Sequence, residues 1–190
     1  GGSHWHRQLT PTTSRLEDVE FFDDAYGWAV GGTHRPYMQE TEGVVLKTSD
    51  GGRTWTQIRS ELLPRFIRIR MLDRRKGWAL ADGSAMYAAG VFYTEDGGRN
   101  WSTIPGQTDQ AWLAGDFIDS RYGIAVGTGG KISIVRRNGF QETRTPELGT
   151  TRFHTLKFSN KVMGWLVGEE GRVMVTQDGG LTWVLVDSLP

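Results

Sequence analysis

Three carboxylates in this 190-residue chain, Asp18, Glu20 and Asp116, stand on short alternating segments. A pair of such groups across a cleft is what cleavage of a glycosidic bond requires, one as acid and one as base or nucleophile. No spacing singles out such a pair among them. The four histidines, His4, His6, His34 and His154, show no metal-ligand spacing beyond His4-x-His6. There is no cysteine, so disulfides and thiolate metal sites are excluded. Neither a phosphate-binding loop nor a nucleophile elbow is present. The residues imply no cofactor, no metal and no catalytic group.

Binding is better provided for. The segment from Gly31 to Gly43 carries His34, Arg35 and Tyr37, which combine hydrogen bonding with aromatic contact. Long loops on rigid scaffolds often carry function. In Phe66-Ile67-Arg68-Ile69-Arg70-Met71 the two arginines share one face of an alternating strand. With Arg65, Arg74, Arg75 and Lys76 they form the densest basic region. An acidic segment or a carboxylate ligand suits it, and the plainer reading is that Arg74, Arg75 and Lys76 decorate a turn. Nucleic acid is not expected: Lys+Arg and Asp+Glu number 22 each, without the basic excess that phosphate backbones attract. No stretch approaches the roughly 18 apolar residues of a membrane span.

The elements that position these residues come from repeats. An aromatic–glycine marker recurs at Gly27, Gly77, Gly123 and Gly164, each glycine leading into a short apolar run. The spacings are 50, 46 and 41 residues. A second motif follows three of the markers: Thr48 to Trp55, Thr94 to Trp101 and Thr176 to Trp183, all Thr-x-Asp-Gly-Gly-x-(Thr/Asn)-Trp. The third repeat keeps Asn138-Gly139 where Asp-Gly is expected, and Thr143 where Trp is expected. Asp23, Asp73, Asp119 and Asn160 sit four residues before each marker and suit a turn. Each unit therefore reads as four short antiparallel strands in about 45 residues, the period of a β-propeller blade. Glu20, Arg70, Asp116 and Lys157 stand seven residues before successive markers, with alternating sign. Facing a central channel, neighbours among them would form ion pairs.

The fold class is thus all-β: four blades of four-stranded antiparallel sheet, expected as part of a larger ring. The boundaries are 15–63, 65–109, 111–149 (with the degenerate motif) and 151–190. Residues 1–10 are read as the last strand of a preceding blade, because Gly1-Gly2-Ser3-His4-Trp5 fits the end of the motif. The chain looks like the C-terminal part of a longer protein, and exposed blade faces would favour self-association.

The Thr-x-Asp-Gly-Gly-x-Thr-Trp motif is similar to the Asp-box, or BNR repeat, of sialidases, xyloglucan-cleaving hydrolases and sortilin-type receptors. The pairing of the Gly-Trp marker with Lys-Thr-Ser-Asp-Gly-Gly-Arg-Thr-Trp most resembles the photosystem II stability and assembly factor family. That resemblance implies a non-catalytic scaffold that binds a protein partner, such as a segment of a membrane protein. It also implies an exported protein, periplasmic, lumenal or extracellular. A polysaccharide-binding or polysaccharide-cleaving propeller is the alternative, although the sialidase Arg-Ile-Pro segment is missing. The motif residues Thr48, Asp50, Gly52 and Trp55, Thr94, Asp96, Gly98 and Trp101, and Thr176, Asp178, Gly180 and Trp183 read as structural. The resemblance puts those turns opposite the ligand face. His34, Arg35, Tyr37, Arg68 and Arg70 are the candidate partner-binding residues.

Overall fold

The computed structural model describes residues 2–35, 40–58, 63–82, 90–106, 111–143 and 151–186, without the side chains of His34, Arg35, Glu40 and Thr41. Sixteen strands form four separate four-stranded antiparallel sheets. Blade 1 holds β1 (Arg15–Phe21), β2 (Gly27–Arg35), β3 (Glu40–Thr48) and β4 (Thr56–Gln57). Blade 2 holds β5 (Phe66–Met71), β6 (Gly77–Ala81), β7 (Gly90–Thr94) and β8 (Ser102–Thr103). Blade 3 holds β9 (Trp112–Asp119), β10 (Tyr122–Gly127), β11 (Ile132–Arg136) and β12 (Gly139–Glu142). Blade 4 holds β13 (Phe153–Phe158), β14 (Gly164–Gly168), β15 (Val173–Thr176) and β16 (Val184–Leu185).

The turn residues show why the chain reverses where it does. Asp23 Oδ1 accepts the N–H groups of Ala25 and Tyr26 at 2.9 and 2.7 Å, closing the turn from β1 to β2. Asp73 does the same for Arg75 and Lys76, and Asn160 for Val162 and Met163. In the Asp-box, Thr48 Oγ1 accepts Gly52 N–H at 2.9 Å and donates to Asp50 Oδ1 at 2.8 Å. Asp50 in turn accepts Thr54 N–H at 2.9 Å and the Thr54 hydroxyl at 2.6 Å. Gly51 and Gly52 take φ of 72° and 83°, a region that side chains resist and glycine does not. The same bonds recur around Asp96, with Asn100 for Thr54, and around Asp178, with Thr182. The first motif glycine also reaches the neighbouring turn of its own blade: Gly51 N–H donates to Ala25 O, Gly97 to Arg75 O and Gly179 to Val162 O. Both hairpins at that end of the blade are thereby joined.

The core lies between blades. Trp28, Val30 and Val45 of blade 1 pack on Phe66, Ile69, Met71 and Phe92 of blade 2. Trp78, Leu80 and Val91 of blade 2 pack on Trp112, Phe117 and Val135 of blade 3. Ile124, Val126 and Ile134 of blade 3 pack on Phe153, Leu156 and Trp183 of blade 4. A polar latch marks each seam. Trp28 Nε1 donates to Gly97 O at 2.9 Å, Trp78 Nε1 to Asp119 O at 3.0 Å, and the Tyr122 hydroxyl to Gly179 O. The second latch ends on the Asx turn because blade 3 has no Asp-box. In its place Arg137 and Asn138 turn the chain between β11 and β12, and Phe140 stacks on Trp112 at 5.1 Å.

One local expectation meets a different chain. The segment read as a loop from Gly31 to Gly43 is largely sheet, with four register pairs from Gly32↔Gly43 to Arg35↔Glu40 extending the β2–β3 hairpin. Residues 2–10, within the segment read as the last strand of a preceding blade, pair with no strand among the described residues; Gln8 lies beside Gly52 of blade 1, as Ile58 lies beside Gly98 at the next seam, and its Oε1 accepts the Trp55 indole N–H at 2.9 Å.

Candidate functional site

The inner strands β1, β5, β9 and β13 line a cavity of about 180 Å³. Its charged wall consists of Asp18, Glu20, Arg68, Arg70, Asp116 and Lys157. Four of these form the alternating ladder. Arg70 Nη1 donates to Glu20 Oε1 across the first seam. Arg70 Nε lies 4.0 Å from Asp116 Oδ1 across the second, and Lys157 Nζ lies 3.5 Å from Asp116 Oδ2 across the third. The Asp116 side chain is only 8% exposed, so its charge needs these cations. It also accepts Phe158 N–H at 2.8 Å. Asp18 accepts its own strand's Val19 N–H and, across the seam, Ile69 N–H, each at 2.9 Å. Each of the three carboxylates considered for glycosidic chemistry is therefore engaged in holding blades together.

The basic pair is split by its surroundings. Arg70 belongs to the ladder, while Arg68 is exposed and rests one guanidinium nitrogen on Ile67 O at 2.8 Å. Both face the same cavity. His34 and Arg35 end β2 in the extended hairpin, at the end of the blade away from the Asp-boxes, with their side chains outside the described set. Tyr37 lies outside the described residues. Topology puts the start of β5 at that same end, since Phe66 pairs with Ala81 and Met71 with the marker Gly77.

A second polar cluster stands there. Arg65 donates to Glu17 Oε1 at 2.5 Å and to Asp82 Oδ2 at 2.8 Å, and Arg15 Nε lies 3.1 Å from Glu17. The Arg65 hydrogen bond lowers the Glu17 pKa against the opposing effect of burial. Sequence reading named Arg65 only as part of a basic region and missed this cluster. Its members are 48 and 17 residues apart, and no local pattern joins them. The bulge between Leu16 and Asp18, repeated at Phe66/Arg68 and Phe153/Thr155, is the one periodic signal near it.

The Asp-box carboxylates have a different environment. Asp50 is held down to about 2, first by the Thr54 hydroxyl, then by Thr54 N–H and the Thr48 hydroxyl. At Asp96 and Asp178 partial burial works upward, and the turn's hydrogen bonds outweigh it, so both are lowered. These groups are saturated by their own hairpins. Among the described residues no cluster of three or more His, Asp or Glu is arranged to hold a metal ion, and no helix is long and apolar enough to cross a membrane.

Comparison with known proteins agrees with this geometry. A curated relative, the chloroplastic photosystem II stability/assembly factor HCF136 of Cyanidioschyzon merolae (strain NIES-3377 / 10D), is 41% identical over 56 residues, 28% of this chain. The match spans 11% of that relative's own length. Among solved structures, an ancestral GH74 enzyme superposes over 100% of this chain and 26% of its own, with TM-score 0.68 and 14% identity, which shows the shared fold. YCF48 bound to D1 peptide overlaps more loosely, with TM-score 0.43 and 20% identity over 93% of this chain and 82% of its own. The family model for Photosynthesis system II assembly factor YCF48 matches residues 2–116, more than half of the chain. With its Asp-box hairpins, Gly-Trp markers and inter-blade latches, the chain belongs to the Photosynthesis system II assembly factor YCF48 family.

Proposed function

We propose that this chain is a non-catalytic scaffold that binds a polypeptide segment during assembly of a larger complex. The observation that carries this reading is the fate of the carboxylates. Asp18, Glu20 and Asp116 are bound to backbone N–H groups or to the ladder cations, so none of the three stands free as an acid or base. Membership of a family of assembly factors supports the same reading. The binding face is the end away from the Asp-boxes. The β2–β3 hairpin extends about 13 Å past the level of the last described β6–β7 pair, Ala81↔Gly90, four residue pairs at about 3.3 Å each. His34, Arg35 and Tyr37 on that hairpin would grip a partner from above, and Arg68, with Arg70 behind it, would take a carboxylate from below. A segment carrying acidic side chains fits this set. The exported location implied by such partners belongs to the same proposal.

The test is capture from detergent-solubilised membrane and envelope extract, with partners identified by mass spectrometry. Affinity is then measured by fluorescence anisotropy on peptides from the captured protein. The Ala variant at His34, Arg35, Tyr37 and Arg68 should bind at least tenfold more weakly while keeping its unfolding midpoint. Arg70→Ala is assayed separately because it also breaks the ladder. Equal binding by the four-site variant would overturn the site. Binding to xyloglucan or another polysaccharide with release of reducing ends, and no protein capture, would overturn the scaffold reading.

A further inference from the structure

The Asp-box end of the first seam carries a cation that the repeat does not call for. In each blade one residue of the third strand lies opposite the residue after the marker glycine. Three of the four are aromatic or aliphatic: Tyr93 opposite Trp78, Ile134 opposite Ile124 and Val175 opposite Trp165. The fourth is Lys47, opposite Trp28. Its Nζ stands 4.9 Å from the centre of the Trp28 ring and 3.3 Å from the point where a Cβ on Gly97 of blade 2 would lie, so the bare glycine makes room for it. Among the described residues Lys47 has no carboxylate within ion-pairing reach.

A cleft of about 980 Å³ opens here between the outer parts of blades 1 and 2. Lys47 lines it from blade 1, Arg99 lines it from blade 2, and Ser49, Thr56 and Thr103 add hydroxyls. Arg99 is exposed, and its guanidinium makes no ion pair or hydrogen bond among the described residues. Asp96 also borders the cleft, but its oxygens accept the N–H groups of Arg99 and Asn100, the Asn100 amide and the Thr94 hydroxyl, all within its own hairpin. Arg74, the third cation nearby, is neutralised by Asp23 at 3.2 Å and lies over the Tyr26 ring. Burial, then the charges of Arg99 and Arg74, hold Lys47 below the ordinary lysine pKa. At the next seam the matching cation is balanced: Arg137 lies over Tyr93 and pairs with Glu95 at 2.8 Å. The first seam is left with two cations, one on each wall of the cleft, and no counter-ion for either.

We propose that Lys47 and Arg99 form a seat for a doubly charged oxyanion, the phosphate group, at the Asp-box rim of the first seam. A dianion answers both charges at once: Arg99 offers paired N–H donors from one wall and Lys47 a point charge from the other. The hydroxyls of Ser49, Thr56 and Thr103 are further donors along the same cleft. Bound there, the oxyanion ties blade 1 to blade 2. The seat lies at the opposite end of the blades from the polypeptide-binding face, so each reading stands or falls without the other.

The test is titration of the isotope-labelled chain with inorganic phosphate at constant ionic strength, followed by NMR. The Trp28 indole N–H is the reporter, because it donates to Gly97 O beside Lys47. Its signal and the amide signals of Gly97 and Arg99 should move along one saturable curve. Lys47→Met, which keeps the apolar stem, and Arg99→Gln, on an exposed side chain, should each weaken binding by about tenfold or more, with unfolding midpoints in phosphate-free buffer retained. Arg53 holds the same Asp-box position in blade 1 that Arg99 holds in blade 2, and Arg53→Gln should leave binding unchanged. Sulfate should compete for the seat, and chloride at the same ionic strength should not. The absence of a saturable shift at millimolar phosphate, binding that survives Lys47→Met or Arg99→Gln, or equal weakening by Arg53→Gln would overturn the proposal.

Discussion

One hydroxyl holds the Asp-box together. Thr94 is 2% exposed, and its Oγ1 both accepts Gly98 N–H at 2.9 Å and donates to Asp96 Oδ1 at 3.0 Å. Thr94→Val keeps the shape and deletes both bonds, leaving a buried glycine N–H without a partner. The expected cost is about 2 kcal/mol, read as a lower urea midpoint with an unchanged slope. The carboxylates predict an acid response. A lowered folded pKa means that stability is complete above the unfolded value and is lost as pH falls through the folded one. For Asp50 that window runs from the ordinary 3.8 down to about 2. The thermal midpoint should therefore begin to fall below about pH 4.5, the ordinary value of the lowered Glu17, and go on falling through the Asp50 range. Asp50→Asn should flatten part of the fall, and carboxyl chemical shifts should place the Asp50 titration near 2. These hydrogen bonds were legible in the sequence, because Thr, Asp and Gly-Gly at fixed offsets leave the backbone few other ways to turn. The Glu17–Arg65–Asp82 cluster was not, since a contact across 48 residues has no local signature.

Strands and hairpins depend on their neighbours for what residues alone cannot settle. The marker glycines and Asx turns located every blade, and blade 3 kept its four strands with a different hairpin, because Asn138-Gly139 still turns the chain. The extended hairpin was misread as a loop. Gly31, Gly32 and Pro36 look like loop punctuation, yet Gly32 pairs with Gly43 inside the sheet, where its φ of 158° and the close approach of Glu42 O both call for glycine. The strand read into residues 1–10 was assigned to a preceding blade, and no sheet edge for it stands among the described residues. The seam latch gives a test at this scale. Trp28→Phe removes the indole donor to Gly97 O and keeps most of the apolar contact. It should cost about 1–2 kcal/mol in chemical unfolding. Trp165→Phe, where the indole has no acceptor among the described residues, should leave chemical unfolding unchanged.

Across the whole molecule the blades are joined by apolar seams outside and a charged ladder within. The ladder was legible because the period aligns its four members once the markers are matched, and alternation of sign has few explanations other than contact. Its middle should matter most. Asp116 is 8% exposed and serves two cations and a backbone N–H, while Glu20 is 23% exposed and serves one cation. Asp116→Ala should therefore destabilise by about 1–2 kcal/mol, since it leaves the Phe158 N–H without its acceptor while Arg70 and Lys157 keep access to solvent, and Glu20→Ala by about 1 kcal/mol or less. Differential scanning calorimetry of the two variants checks the order. Added salt should narrow the gap between wild type and the Glu20 variant first, because exposed pairs are screened more readily.

The alternation of sign also constrains how such an array can grow. With charges taken in turn, an even count of blades closes with opposite signs at every seam. An odd count brings two like charges together somewhere. Duplicating one blade of this chain would create such a conflict beside the copy, whereas duplicating a neighbouring pair would leave every contact satisfied. The ladder acts as a parity rule, and engineered arrays lengthened by two blades should unfold at a higher midpoint than those lengthened by one, by an amount that added salt reduces.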